Sequence, residues 1–160
     1  MPVTRCSFVL NGLPMGTLRC GNMAFPAFSG RGQYTGDPKA TDRKNDGPLP
    51  KGRYYIVSRE SGGHLGWLYD AVKDRFSNAN RSTWFALYRN DGVIDDWTFI
   101  NGVKRGNFRL HPAGRQRLSE GCITLSNQSD FDRLRTYLLA NPAGTIPGTT
   151  MRYFGILEVR

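Results

Sequence analysis

A histidine and a cysteine lie eleven positions apart in this chain, separated by a segment rich in glycine and arginine. Such a segment can fold back and bring His111 within hydrogen-bond reach of Cys122, so that the imidazole acts as a base for the thiol. Gly121 permits a positive φ, and the N–H groups of Gly121 and Cys122 are candidates for an oxyanion hole. The pattern predicts a cysteine acyl-transfer site. The alternative is a buried structural thiol near an unrelated histidine.

Further groups around this pair have several possible roles. The side chain of Ser119, the side chain of Glu120 or a backbone carbonyl can orient His111. Arg109 and Arg115 can lower the thiol pKa or bind a carboxylate of the substrate. The same two arginines can equally be solvated surface charges.

Composition predicts one globular domain over residues 1–160, with a net charge of +9. This charge favours polyanionic partners such as nucleic acid, anionic lipid, cell wall or an acidic protein. Lysines and arginines are scattered, and no basic run or known nucleic-acid module occurs, so we predict no nucleic-acid binding. A non-enzymatic basic module that binds a polyanion is the alternative to an enzyme.

The N-terminal residues lack the apolar core and the cleavage site of a Sec signal, and no apolar segment is long enough to span a membrane. We therefore expect synthesis in the cytoplasm, with a dedicated machine moving the protein if it acts elsewhere. No zinc-type spacing of cysteine and histidine occurs, and we predict neither a metal nor another cofactor.

Alternating apolar residues and turn signals predict many short strands. The predicted strands are Cys6–Leu10, Gly16–Cys20, Phe25–Phe28, Arg53–Ser58, His64–Tyr69, Thr83–Tyr88, Trp97–Ile100, Asn107–His111, Cys122–Leu125 and Met151–Val159. Residues 30–52 are rich in Gly, Asp, Lys and Pro, which predicts a long irregular loop.

One helix is predicted after the cysteine strand. Ser126 or Asn127 can cap it, Phe131, Leu134 and Leu138 follow at helical spacing, and Asn141-Pro142 ends it. The fold class is therefore mostly β, a β-rich α+β domain with one main helix.

The first two predicted strands form a hairpin with its turn near residue 13, which places Cys6 and Cys20 about opposite each other. A disulfide between them is geometrically possible. Two reduced cysteines are the alternative, since the chain is made in the cytoplasm. Cys122 is the candidate for the unpaired thiol.

Several segments resemble the L,D-transpeptidases, the YkuD-type cysteine enzymes of peptidoglycan. The resemblance is carried by His111 with Ser119-Glu120-Gly121-Cys122, by Phe28-Ser29-Gly30 and by Gly47–Ile56. In that family a Ser/Thr-Gly loop and a Pro-x-Gly-x-Tyr strand line the cleft. The resemblance implies an L,D-transpeptidase-like β-sandwich with Cys122, His111, Ser119 and Gly121 in the catalytic set. The implied substrate-binding residues are Arg109, Arg115, Glu120, Ser29 and Gly30.

The chain is more similar to the L,D-transpeptidase effectors of type VI secretion systems. Ala27–Gly30, Trp84–Tyr88, Gly106–Pro112 and Ser119–Leu125 carry this similarity, which spans nearly the whole chain. The His–Cys spacer is shorter than in housekeeping enzymes. Glu120 stands where those enzymes usually carry His, and Thr124 where they usually carry Arg or Asn. These departures argue against housekeeping cross-link formation.

The resemblance implies a toxic, monomeric peptidoglycan enzyme that is injected by the type VI secretion machinery and acts in the periplasm of the target bacterium. Cys122 would attack the bond between meso-diaminopimelate and the terminal D-alanine of a stem tetrapeptide. Hydrolysis would be L,D-carboxypeptidase activity, and exchange of the D-amino acid would be L,D-transpeptidase activity. A cognate periplasmic immunity protein is the implied partner. A resident periplasmic L,D-transpeptidase is the alternative that keeps the chemistry.

Overall fold

A computed structural model of the chain describes residues 3–58, 83–113 and 121–160. Within these ranges the chain forms twelve strands and one α-helix. The elements are β1 Thr4–Phe8, β2 Gly16–Cys20, β3 Met23–Phe28, β4 Gly52–Ser58, β5 Phe85–Arg89, β6 Trp97–Ile100, β7 Val103–Gly106, β8 Arg109–Pro112, β9 Ile123–Leu125, α1 Gln128–Ala140, β10 Gly144–Thr145, β11 Arg152–Tyr153 and β12 Gly155–Val159.

Eight of these strands form one closed barrel, in the order β1-β12-β4-β5-β8-β9-β3-β2. Two small ribbons, β6–β7 and β10–β11, lie outside the barrel sheet. The predicted β-rich α+β class is confirmed. The expected sandwich is replaced by a barrel, because hydrogen bonding continues around the whole ring of strands and leaves no separation into two sheets.

The core of the barrel follows the alternation of side chains along its strands. Leu110 of β8 and Ile123 of β9 are register partners, and both belong to the main apolar cluster. Phe131, Leu134 and Leu138 of α1 belong to the same cluster, so the helix is fixed by burial of one face. The helix contacts β8 and β9, which are the two strands that carry the predicted catalytic pair.

The predicted helix is confirmed together with its cap. Asn127 is the N-cap, and its side-chain oxygen accepts a hydrogen bond from the Asp130 N–H at 2.8 Å. The helix ends at Ala140, immediately before Asn141-Pro142. No helix of the described ranges is long and apolar enough to cross a membrane.

Several strand boundaries differ from the predicted ones. The predicted strand Met151–Val159 is divided into β11 and β12, because β11 pairs with β10 whereas β12 pairs with β1 and β4. Strand β7, which has only four residues, was not predicted. The predicted loop at 30–52 is confirmed as irregular, apart from a short 3-10 turn at Gly32–Tyr34 and the first residue of β4. The predicted strand His64–Tyr69 lies outside the described residues.

The predicted register of the first hairpin is confirmed. Cys6 and Cys20 are paired residues of β1 and β2, and a disulfide joins them. Cys122 takes no part in this disulfide.

We expect this disulfide to be measurable as a thiol count. After air oxidation the unfolded protein should alkylate at one thiol, Cys122, and after reduction at three. Replacing both Cys6 and Cys20 by serine is expected to lower the free energy of unfolding by about 3 kcal/mol, the value for closing a loop of this length. The same double variant, measured under reducing conditions beside reduced wild type, is the control. Three free thiols in the oxidised protein would contradict the bridge.

Candidate active site

The predicted base and nucleophile are carried by two neighbouring strands, with His111 in β8 and Cys122 immediately before β9. Strands β8 and β9 run parallel, with His111 paired to Thr124. Since side chains alternate along a strand, Arg109 and His111 share a face, and Cys122 and Thr124 lie on the same side. His111 and Cys122 are therefore diagonal neighbours across the two strands. Strand spacing and rise place their Cα atoms about 8 Å apart, which an imidazole can bridge.

The imidazole of His111 is held by a backbone carbonyl. Its Nδ1 lies 2.7 Å from the carbonyl oxygen of Pro112, which can only accept, so Nδ1 carries the proton. Nε2 is then the basic nitrogen, and it lies 3.3 Å from the Thr124 hydroxyl. Trp84 stacks on the imidazole at 4.5 Å between ring centroids. Among the described residues, the Pro112 carbonyl therefore orients His111, whereas Ser119 and Glu120 lie outside the described residues.

Cys122 follows a glycine at a position where any side chain would clash. Gly121 has φ +84°, and a Cβ there would lie 2.5 Å from Nη2 of Arg105 and 2.8 Å from Cε1 of Phe108. This close approach fixes the backbone that carries the N–H of Cys122. The Cys122 thiol lies 3.9 Å from the carbonyl oxygen of Asn107, at hydrogen-bond distance for sulfur.

Both members of the pair are neutral at rest. Burial lowers the pKa of His111 to about 4, against a hydrogen bond to Pro112 that raises it. Burial likewise raises the pKa of Cys122 to about 11, although Arg109 and Arg105 lower it. The arginines lower the thiol pKa, as predicted, but burial raises the same pKa by more. The thiol is therefore protonated at neutral pH, and it needs a base when it attacks a substrate.

The pH dependence of alkylation follows from these values. We expect the rate of Cys122 modification by iodoacetamide to be low at pH 7 and to rise toward pH 11, because the thiolate forms only as the pH approaches the raised pKa. The measurement is the alkylation rate of the native protein against pH, with the unfolded protein as the control, whose rate should rise near pH 8.5. A plateau in the native protein below pH 8 would show a thiolate already present.

Arg109 is bound by protein groups next to the site. Its side chain is fully buried and forms two hydrogen bonds to the carboxylate of Asp96, at 2.9 and 3.2 Å, and a third to the carbonyl oxygen of Phe108. These contacts give Arg109 a structural role, and its predicted role in docking a substrate carboxylate stays a prediction. Burial raises the pKa of Asp96 to about 6, against the pull of Arg109. The pair ties the start of the β6–β7 ribbon to β8.

Arg105 fixes the long loop next to the site. Its guanidinium donates to the carbonyl oxygens of Thr41, Gly47 and Pro48, and the side chain is buried. The Arg105 side chain thus satisfies three backbone carbonyls of a loop that has no strand partner.

Ser29 and Gly30 are buried and make contacts within the protein. The Ser29 hydroxyl oxygen accepts from the Leu49 N–H at 2.8 Å, and the side chain is fully buried. Gly30 has φ +95°, and a Cβ there would lie 2.9 Å from the carbonyl oxygen of Tyr34. These contacts join the two ends of the loop, so the predicted substrate contacts of Ser29 and Gly30 find no support.

Three predicted site residues, Ser119, Glu120 and Arg115, lie outside the described residues. Conversely, sequence reasoning assigned no site role to Trp84 or Asp96, and treated Thr124 only as a departure from a motif. The sequence did contain one indication for Thr124, since alternation along a strand places residues 122 and 124 on the same face.

Among the described residues, no three His, Cys, Asp or Glu side chains are grouped so that they could hold a metal ion.

A barrel that brings a cysteine and a histidine together on adjacent parallel strands is consistent with the resemblance noted in the sequence. The chain matches the Tlde1 domain over residues 23–149 and belongs to this family. The family comprises type VI secretion effectors with L,D-transpeptidase activity on peptidoglycan. No curated protein and no solved structure shows a significant match to the chain.

Proposed function

We propose that Cys122 is the nucleophile and His111 the general base of an enzyme that removes or exchanges the terminal D-alanine of peptidoglycan stem tetrapeptides. The observation that carries the proposal is the placement of His111 in β8 beside Cys122, which immediately precedes the parallel strand β9, in a chain of the Tlde1 domain family. The bond attacked is the amide between the L-centre of meso-diaminopimelate and D-alanine. The products are a tripeptide by hydrolysis, or an exchanged tetrapeptide when a D-amino acid is the acceptor.

The protonation states set the order of events. Because both groups are neutral at rest, the thiol proton moves to Nε2 of His111 as sulfur attacks the carbonyl carbon. The Thr124 hydroxyl can then rotate and accept from the protonated Nε2, while Pro112 holds Nδ1. The backbone N–H groups of Gly121 and Cys122 are proposed to bind the oxyanion.

Collapse of the tetrahedral intermediate breaks the C–N bond and forms a thioester. The leaving amine of D-alanine takes the proton from Nε2, which restores the neutral imidazole. His111 then deprotonates water or the amine of a D-amino acid, which attacks the thioester and releases the Cys122 thiol. Substrate binding, by excluding water from the site, strengthens these charge interactions when they are needed.

Purified muropeptides test this proposal directly. Incubation of the protein with disaccharide tetrapeptides should yield tripeptides and free D-alanine, detected by mass analysis. Addition of an isotope-labelled D-amino acid should yield labelled tetrapeptides, and the product ratio measures hydrolysis against exchange. A muropeptide ending in L-alanine is the control substrate. Unchanged tetrapeptides after prolonged incubation would sink the proposal.

The proposed site of action is the periplasm of a target bacterium. Protein produced without an export signal is expected to be harmless, because the cytoplasm holds no mature wall. The same protein fused to a Sec signal is expected to cause swelling or lysis, counted by microscopy and viable plating. The Cys122→Ala variant with the same signal is the control. Equal toxicity in both compartments would indicate a cytoplasmic target and favour polyanion binding instead.

A cell that makes this enzyme needs protection of its own wall, so we propose a cognate periplasmic immunity protein. The charge of +9 favours an acidic surface on that partner, with association that slows as salt increases. A monomeric effector is part of the same proposal.

A further inference from the structure

Two aromatic side chains stand exposed on the outer face of the β6–β7 ribbon. Trp97 is 48% exposed and Phe99 63% exposed, whereas Thr98 between them is buried. Lys104 is the register partner of Phe99, and its ammonium lies 4.0 Å from the centroid of the Trp97 ring. We call the surface formed by Trp97, Phe99 and Lys104 the aromatic face. Exposed rings of this size side by side on a short ribbon need a functional explanation.

The ribbon that carries this face is joined to the candidate active site by hydrogen bonds. Asp96 precedes Trp97 and binds Arg109 of β8. At the same end of the ribbon the Asn107 N–H donates to the Asp96 carbonyl oxygen, and the Asn107 carbonyl lies 3.9 Å from the Cys122 sulfur. From these contacts and a rise of about 3.3 Å per residue, the two rings lie roughly 10–15 Å from the sulfur.

We propose that the aromatic face binds the sugar rings of the peptidoglycan glycan strand that carries the stem peptide. This inference rests on the proposed function and adds a glycan subsite to it. Three stem residues separate the sugar from the bond that Cys122 would attack, and an extended chain of three residues spans about 10 Å. A stem peptide with its terminal amide at Cys122 can therefore place its sugar at this face.

The chemistry of the face matches a sugar better than a protein. The axial C–H groups of a pyranose ring pack on an aromatic ring, while its hydroxyl and amide groups remain at the rim. The Lys104 ammonium, which lies over the Trp97 ring, adds a positive charge suited to the carboxylates of the stem. Two partly exposed rings offer at most a few hundred Å², well below the roughly 800 Å² per partner of a standard protein interface.

A comparison of two substrates tests the glycan subsite independently of the catalytic centre. One is the disaccharide tetrapeptide, and the other is the free tetrapeptide without sugars. We expect wild type to have a kcat/KM higher by about tenfold or more on the disaccharide substrate, the effect of about 1.4 kcal/mol. In Trp97→Ala, Phe99→Ala and the double variant this preference should fall toward 1, with turnover of the free tetrapeptide unchanged. Leu13→Ala, an exposed apolar side chain outside the ribbon, is the matched control.

A binding measurement keeps this inference distinct from the proposed function. Glycan strands freed of stem peptides by an amidase are titrated into the Cys122→Ala protein by calorimetry. Binding that the Trp97→Ala and Phe99→Ala changes weaken supports the subsite even if neither peptide substrate is turned over, in which case only the proposed function fails. Equal kcat/KM on both substrates in wild type, or a double variant that binds strands like wild type, would overturn the subsite. A concentration-dependent dimer that the double variant abolishes would assign the face to a second copy instead.

Discussion

Replacing Cys122 by alanine is expected to reduce the release of D-alanine from tetrapeptide muropeptides by a factor of about 10⁴ or more, since it removes the group that forms the covalent intermediate. The residue is buried and small, and alanine keeps most of its volume, so the fold should survive. The measurement is single-turnover product formation followed by mass analysis. Retention of the wild-type rate would remove Cys122 from the mechanism.

His111 should give a loss of similar size, because the base and the nucleophile act as a unit. Alanine at this position leaves a cavity beside Trp84, so His111→Gln is the better-packed companion to His111→Ala. If His111→Gln unfolds at the wild-type temperature but has no turnover, the loss of activity is due to the missing base and not to altered packing. For both residues Leu13→Ala serves as the control that should remain fully active.

The pH dependence of kcat/KM tests the protonation state of His111 in the same pair. As the pH falls toward 4, His111 becomes protonated and can no longer accept the thiol proton. We therefore expect kcat/KM for the free enzyme to fall only at acidic pH, and not between pH 6 and 7 as for an exposed histidine.

The features predicted well from the sequence are those that local rules determine. The hairpin with Cys6 opposite Cys20 follows from turn position and strand period, and the helix after Asn127 follows from its cap and apolar spacing. Both depend on residues close together in the chain. The fold class followed from the same local patterns.

The site was predicted less completely because its contacts join distant residues. Adjacency of the predicted pair was inferred from the spacer, but parallel pairing of β8 with β9 depends on the whole barrel. Burial outweighs the predicted lowering of the Cys122 pKa by arginine, and the contact of Arg109 with Asp96, thirteen residues away, could not be predicted from spacing. Sequence shows charge and spacing, whereas burial is a tertiary property that determines what a charge can bind.

The ion pair of Asp96 and Arg109 is expected to have the largest effect on stability. Arg109 is fully buried and the Asp96 side chain is 10% exposed, so Asp96→Ala leaves a buried guanidinium without its carboxylate. We expect a loss of about 3–5 kcal/mol in the free energy of unfolding, measured by denaturant titration. Glu158→Ala removes an exposed pair with Arg160 and is the matched control, with an expected loss of at most about 1 kcal/mol.

A double variant distinguishes two contributions to the free energy of unfolding. One is the destabilisation by an unpaired buried charge, and the other is the stabilisation by the ion pair itself. The raised pKa of Asp96 indicates that desolvation outweighs the attraction of Arg109 for its carboxylate. Hence Asp96→Leu with Arg109→Met, which removes both charges and keeps apolar volume, should recover most of the stability lost in Asp96→Ala. Such a variant should nevertheless lose activity, because the ribbon and the Asn107 carbonyl beside Cys122 are positioned through this pair. A double variant as unstable as the single one would show that the pair stabilises the barrel by itself.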